Sequence, residues 1–318
     1  MRGNTMTSQM HLIEPVGTRL VLGGNVFGWT ADLDTSFTIL DAFYEAGGRM
    51  IDTAEGYSDW IPGHVGGESE TVIGKWMAAR GNRADMHIAT KTGMYGKPGD
   101  LAQAKVAAAI EGSLTRLQTD YIDLYYAHRD EAETTQEEAA KGFGALVAAG
   151  KVRALGASNF SAERLASARA AAAAQGVAPY VAIQNEYNLV VREQFEGPVQ
   201  KLCVEEGIAS FPYFGLASGF LTGKYRIAAD LDQGPRGYRV RDYFDKGQPI
   251  LAAMDEVVAA TGAKHAHVAL AWINAQPGIA APIASASRPE QVADLVAGAT
   301  LQLAPEHLAL LNAARPLA

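Results

Sequence analysis

Asp52, Tyr57, Lys91 and His128 are the residues whose types and spacing could do chemistry. Three follow short apolar runs: Arg49-Met50-Ile51 before Asp52, Met86-His87-Ile88-Ala89 before Thr90-Lys91, and residues 121–127 before His128. Tyr57 follows Asp52 through Thr53-Ala54-Glu55-Gly56. A carboxylate, a phenol, an ammonium and an imidazole at successive strand ends predict one polar cluster on one rim of a parallel barrel, where barrel enzymes carry their chemistry. A Tyr beside a Lys has a specific use. The cation favours phenolate, so the phenol is expected to release its proton below its usual pKa of about 10. Singly, each residue has a plainer reading as a helix cap, a packed loop tyrosine or a hydrogen-bonded core histidine. The ordered set of four favours chemistry.

The elements that must position these residues alternate. Strand-like runs cover residues 20–23, 49–52, 86–91, 121–127, 152–157, 180–184, 207–213 and 279–284. Most lack two-fold alternation, as strands covered on both faces do. Helical stretches are read at 34–47, 68–79, 101–117, 134–150, 161–174, 193–206, 263–275, 290–297 and 305–314. Asp34-Thr35-Ser36 opens the first of these and Gly47-Gly48 closes it, a capping pattern. Eight strands alternating with helices predict an α/β chain folded as one (β/α)8 TIM barrel over residues 1–318. Residues 1–11 read as a flexible polar stretch, and 217–249 as a long cofactor-covering loop after the seventh strand. A doubly wound open sheet is the alternative. Its Gly-x-Gly-x-x-Gly fingerprint is missing, because Gly23-Gly24-Asn25-Val26-Phe27-Gly28 has the wrong spacing.

Bulk properties narrow the function classes. The 318 residues are 48% hydrophobic and 19% charged, enough apolar material for a packed core. A formal net charge of −8 argues against nucleic acid or an anionic membrane as the main partner. Cys203 is the single cysteine, so no intramolecular disulfide forms, which fits a reducing cytoplasm. No apolar run is long enough to span a bilayer, and no signal peptide is visible. No metal site is expected. His265 and His267 stand two apart on a predicted helix and point in different directions, and no Cys pair or His-Glu-x-x-His occurs.

Four further constellations each carry two readings. Ser158-Asn159 after the fifth strand and Gln184-Asn185 after the sixth suit recognition of a carboxamide, or a plain helix cap. Residues 212–225 hold Tyr213, Leu216, Gly219 and Lys224, and read as a phosphate-approaching loop or an ordinary flexible one. Ser285, Ser287, Arg288 and Gln291 lie between the last strand and a helix, an anion site or a capped helix with a solvated arginine. Trp29, Trp60 and Tyr95 fall on the same rim, as an aromatic substrate pocket or as rim packing.

In order along the chain, these pieces resemble the aldo-keto reductase superfamily. The resemblance rests on Leu22-Gly23-Gly24, Asp52-Thr53-Ala54-Glu55-Gly56-Tyr57, Gly67-Glu68-Ser69-Glu70, Thr90-Lys91, residues 120–128, Gly150-Lys151-Val152-Arg153, Gly156-Ala157-Ser158-Asn159-Phe160, residues 216–225 and Arg288-Pro289-Glu290-Gln291. It covers nearly the whole chain and is nearest the bacterial branch that also resembles potassium-channel β-subunits. It implies an NADP(H)-dependent oxidoreductase interconverting an aldehyde or ketone and its alcohol. Tyr57 would be the general acid and base, Lys91 would lower its pKa, Asp52 would pair with Lys91, and His128 would orient the carbonyl oxygen. Ser158, Asn159 and Gln184 would hold the nicotinamide carboxamide, with Tyr213 stacked on its ring and Gly24 and Asn25 beside its ribose. Leu216, Gly219 and Lys224 would line the pyrophosphate. Ser287, Arg288 and Gln291 would surround the 2′-phosphate. The resemblance also opens another class, a redox sensor or regulatory subunit with little turnover. Three departures stand out: Gly215 where the family usually has Pro, Leu295 where Asn often contacts adenine, and Ser285 where Lys or Gly is usual.

Overall fold

The computed structural model describes residues 17–232 and 237–316. The expected flexible stretch, residues 1–11, lies outside them. Strand and helix alternate as β1 (Val21–Gly23), α1 (Leu33–Glu45), β2 (Met50–Asp52), α2 (Glu68–Arg80), β3 (His87–Thr92), α3 (Gln103–Leu117), β4 (Ile122–Ala127) and α4 (Gln136–Ala148). The chain continues through β5 (Val152–Ser158), α5 (Ala162–Gln175), β6 (Tyr180–Gln184), α6 (Pro198–Glu206) and β7 (Ala209–Ser210). It closes with α7 (Gly237–Phe244), α8 (Gln248–Thr261), α9 (His265–Asn274), β8 (Ile283–Ala284), α10 (Glu290–Thr300) and α11 (Pro305–Ala313).

The strands form one eight-stranded sheet in the order β7-β6-β5-β4-β3-β2-β1-β8, and the ladders are parallel. Its two edges meet. The Ser210 N–H donates to Gly278 O at 3.1 Å, the Ala280 N–H to Ser210 O at 2.8 Å and the Ile283 N–H to Pro212 O at 2.8 Å. This is an α/β architecture consistent with a (β/α)8 barrel.

Alternation along each strand sorts side chains into two layers. Val21, Met50, Ala89, Leu124, Tyr126 and Ala154 pack into one cluster within the sheet. Leu22, Ile51, Ile88, Tyr125 and Leu155 face the helices in a second, larger cluster. By this alternation Asp52 and Lys91 continue the inner rows of Met50 and Ala89 at the strands' C-terminal ends.

Helix starts follow their caps. Asp32, rather than the expected Asp34, accepts the Thr35 N–H ahead of α1; Thr135 accepts the Glu138 N–H ahead of α4, and Ser161 the Arg164 N–H ahead of α5. Gly176 ends α5 at φ 68°, a left-handed conformation that costs glycine little.

Four expectations are corrected. The run 193–206 is helical only from Pro198, because Gly197 turns at φ 89° and Pro198 restarts the chain as a first-turn proline. The run 207–213 narrows to two ladder residues, since Pro212 has no N–H to give; Tyr213 returns as an isolated bridge to Glu186. The run 279–284 likewise narrows to Ile283–Ala284, after Pro282. The segment 217–249 is not plain loop: it holds 3-10 turns at Ala217–Thr222 and Ala228–Asp232, then α7. Helix α8 follows, an element the sequence reading did not mark, although its buried Ile250, Met254 and Val257 stand at helical spacing.

Candidate active site

Three strands and one turn bring the four candidate residues together. Lys91 is fully buried, and its Nζ donates to Asp52 Oδ2 at 2.7 Å, to Thr53 O at 2.7 Å and to Tyr57 Oη at 2.9 Å. These three acceptors match the three donors of an ammonium. The Tyr57 hydroxyl also lies 3.4 Å from Asp52 Oδ2. The Tyr57 and His128 rings are 5.9 Å apart, edge to face. The His128 N–H is held by Thr92 O at 2.8 Å, which ties β4's end to β3's.

The electrostatics set the resting protonation states. Burial, then the Asp52 carboxylate, push the Tyr57 phenol well above its usual range. The expectation that Lys91 would lower it is not met in this resting arrangement. The physical reason is that burial of the phenol, joined by the nearby Asp52 carboxylate, outweighs the help the ammonium gives the phenolate. Burial lowers the Lys91 ammonium, while Asp52 and Glu70 oppose that shift. Burial, followed by the charges of Lys91 and Arg129, holds His128 well below the usual imidazole range, so it is neutral near pH 7. Its Nδ1 is buried and has no hydrogen-bond partner.

A polar network continues from this cluster into the carboxamide candidates. Gln184 Nε2 donates to Asp52 Oδ1 at 2.8 Å. Ser158 Oγ donates to Gln184 O at 2.7 Å, and Asn159 Nδ2 to Ser158 Oγ at 3.1 Å and to His128 O at 2.9 Å. The Tyr213 hydroxyl donates to Asn159 Oδ1 at 2.7 Å. Gly24 joins from β1's end, its N–H donating to Asp52 O at 2.7 Å. The reactive four, Ser158, Asn159, Gln184, Tyr213 and Gly24 are therefore one connected group.

The remaining residues form separate groups. Asn25 Oδ1 accepts from Ser285 Oγ at 2.6 Å, joining the β1 end to the loop after β8. Leu216 O accepts the N–H groups of Gly219 and Leu221. A Cβ added at Gly219, whose φ is 98°, would stand 3.7 Å from Lys224 Nζ, so bare backbone and an ammonium lie side by side there. Gln291 Oε1 accepts from the N–H groups of Ser287 and Arg288, at 2.8 and 3.2 Å, occupying donors that an anion would use. Arg288 Nε is paired with Glu290 Oε1 at 2.8 Å.

On the rim, Trp60 meets Trp29 edge to face at 5.7 Å and Tyr57 at 6.1 Å. Tyr95 reaches the same loop differently, through its hydroxyl on the Asp59 carboxylate at 2.7 Å.

Two features add to the sequence reading, the first inside the 212–225 loop already read as phosphate-approaching and the second unread. Ser218 has a buried hydroxyl without a partner, and it lies among left-handed residues: Ala217 at φ 46°, Ser218 at 56° and Gly219 at 98°. A strained backbone with an unsatisfied hydroxyl fits the close approach of a polar group such as a pyrophosphate. The other feature is the anchoring of α7, where the Tyr243 hydroxyl donates to Glu186 Oε1 at 2.8 Å, beside the Tyr213 bridge. Its signal was absent, because the pair is 57 residues apart.

Residues 19–316 match the model of the aldo/keto reductase family. The chain belongs to that family. It is 33% identical over 305 residues to an uncharacterized oxidoreductase, YrpG, of Bacillus subtilis, covering 93% of this chain and 91% of that one. It is 31% identical over 302 residues to an aryl-alcohol dehydrogenase [NADP(+)] of Phanerodontia chrysosporium, covering 89% and 76%. It is 30% identical over 296 residues to a norsolorinic acid reductase of Aspergillus flavus, covering 90% and 72%. Family membership supports an oxidoreductase of small molecules that reduces carbonyl groups. Among the described residues, no helix is long and apolar enough to cross a membrane, and no group of three or more His, Cys, Asp or Glu could hold a metal ion.

Proposed function

We propose that this chain interconverts an aldehyde or ketone with its alcohol, using NADP(H), in a closed (β/α)8 barrel. The observation that carries the reading is Lys91 Nζ bonded at once to Asp52 and to the Tyr57 hydroxyl. A bound nicotinamide dinucleotide supplies or takes up the hydride. Tyr57 supplies or takes up the proton. Its raised resting pKa keeps the phenol protonated near pH 7, the form a proton donor needs. When Tyr57 gives up that proton, the phenolate formed lies 2.9 Å from the ammonium that stabilises it. His128, held neutral, has a ring N–H to donate to a carbonyl oxygen and adds no competing charge.

Ser158, Asn159 and Gln184 would hold the carboxamide, exchanging some of their present bonds, with Tyr213 against the ring. Gly24 and Asn25 would border the ribose. The unsatisfied Ser218 hydroxyl, with Leu216, Gly219 and Lys224, fits the pyrophosphate. Ser287, Arg288 and Gln291 would take the 2′-phosphate, which requires Arg288 to leave Glu290. The relative named for NADP(+) supports that choice of cofactor. Trp60 beside Tyr57, with Trp29 packed on Trp60, favours flat, aromatic carbonyl substrates, with Tyr95 at the rim. The names of the aryl-alcohol and norsolorinic acid relatives agree with that class.

The test is turnover of substituted benzaldehydes against aliphatic aldehydes, followed by NADPH and NADH absorbance. The reading expects aromatic substrates with NADPH to be fastest. Absence of turnover with every aldehyde and either cofactor would sink it.

A further inference from the structure

The outer face of β3 is held by a second set of carboxylates, Glu70 buried and Glu55 half-buried. Thr90 and Thr92 flank Lys91 in the chain and, by strand alternation, point away from it. Each is held by a carboxylate. Thr90 Oγ1 donates to Glu70 Oε1 at 2.5 Å, and Thr92 Oγ1 to Glu55 Oε1 at 2.6 Å. Glu70 comes from α2 and is fully buried; its other oxygen accepts from Arg116 Nε of α3 at 2.6 Å. Glu55 comes from the turn between Asp52 and Tyr57, and its Oε1 also accepts the Gly93 N–H at 3.1 Å. The Glu55 N–H in turn donates to Lys91 O at 3.2 Å. Both carboxylates therefore grip β3 within one residue of the lysine.

Burying charge this way is costly unless it is well paired. A plain structural strand would place apolar side chains against the helices instead. What the arrangement adds is placement. An ammonium that must reach Asp52, Thr53 O and Tyr57 together needs its backbone fixed to a fraction of an ångström. Glu55 lies three residues after Asp52 and two before Tyr57, so its grip couples the turn that carries the phenol to the strand that carries the cation. Glu70 adds an electrostatic effect, because its charge supports the Lys91 ammonium against burial.

We propose that Glu55 and Glu70, through Thr92 and Thr90, are positioning residues that set the Lys91 ammonium against Tyr57. This rests on the reading of Tyr57 as acid and base. Neither carboxylate touches the reacting atoms. Loosening either grip lets the ammonium drift from the phenol, so phenolate becomes harder to form. Alcohol oxidation, which needs the phenolate, then requires higher pH.

Thr→Val removes the hydroxyl and keeps the shape, while Thr→Ser keeps the hydroxyl. Thr92→Val and Thr90→Val, their serine counterparts and the double valine variant are compared with wild type. Three properties are measured: kcat for alcohol oxidation across pH, NADPH affinity by protein fluorescence, and melting temperature. The valine variants are expected to lose kcat several-fold, and the double variant up to about 100-fold, the loss that misplacement by about 1 Å can cause. Their pH profiles move to higher pH, NADPH affinity is unchanged, and serine restores both rate and profile. A lower melting temperature with wild-type kcat and pH profile would overturn the proposal, leaving the carboxylates as fold supports. If the double variant does not fold, the single variants decide by the same criteria. Tyr57→Phe is run in parallel. If it retains turnover, the reading of Tyr57 fails; if it is inactive while the valine variants match wild type, only the positioning proposal fails.

Discussion

At the Tyr57 end of the site, Lys91, Asp52 and Gln184 are at most 2% exposed, and each is bonded to another member of the group. At the Arg288 end, the guanidinium side chain is 65% exposed and paired with Glu290, itself 68% exposed. The first region is preorganised in low dielectric, where charge interactions are strong and misplacement is expensive. The second is solvated and screened, where an ion pair holds its geometry weakly. On the proposed function, the contrast predicts different work for the two ends. The buried end should govern rate and its pH dependence; the exposed end should govern which dinucleotide is held, at little cost to the fold.

Tyr57→Phe should break the comparison most visibly. It is expected to cost roughly 10²–10⁴-fold in turnover, the usual worth of general acid–base catalysis, with NADPH binding nearly unchanged. Steady-state rates and fluorescence titration on one preparation check both halves. Near-normal turnover would remove Tyr57 as the proton carrier.

Lys91→Met comes next. It slows turnover and moves the alcohol-oxidation profile to higher pH, because the phenolate loses its cation. It also leaves the buried Asp52 carboxylate without its ion partner, a loss of about 3–5 kcal/mol in stability. A denaturant melt separates that loss from the pH effect. A slower enzyme with an unmoved profile would make Lys91 a structural residue.

His128 tests burial at the same end through stability. Its folded pKa lies below the unfolded value of about 6.5. The unfolded chain therefore binds a proton first as pH falls. Stability is complete above about pH 6.5 and declines below it, toward the folded pKa. His128→Gln should flatten that decline in melts taken from pH 7 downward. Parallel slopes for the two proteins would show that the imidazole is not held neutral by the fold.

The exposed end gives the smallest effects. Arg288→Ala should weaken NADPH by about ten-fold and NADH little, the low end for a charge-assisted hydrogen bond, since Arg288 must first leave Glu290. Glu290→Gln should sharpen the contrast, tightening NADPH by roughly two- to five-fold by freeing the guanidinium. Titrating both cofactors decides. Equal weakening of NADPH and NADH in Arg288→Ala would take Arg288 out of phosphate recognition.

The strand-then-helix rhythm was legible because apolar runs and caps are local signals. Ser161 capping α5 and the short run ending at Asp52 needed no distant partner. The same locality made the candidate residues visible as a cluster, since strand ends in a parallel sheet converge on one rim. Locality also explains what was misjudged. Pro212 and Pro282 shortened strands whose ends depend on who can donate to whom across the closing edge.

By itself the sequence determined the alternating fold, the family and which side chains could carry a proton. Only the tertiary structure decided the state in which they rest. Burial and the Asp52 carboxylate, 3.4 Å from the phenol oxygen, reverse the expected direction of the Tyr57 shift, because a field depends on distance and dielectric rather than on chain position. Only tertiary structure, too, brought Glu70 of α2 to Thr90 across 20 residues and Gln184 to Asp52 across 132. Such bonds depend on where whole elements dock, and no local pattern encodes that.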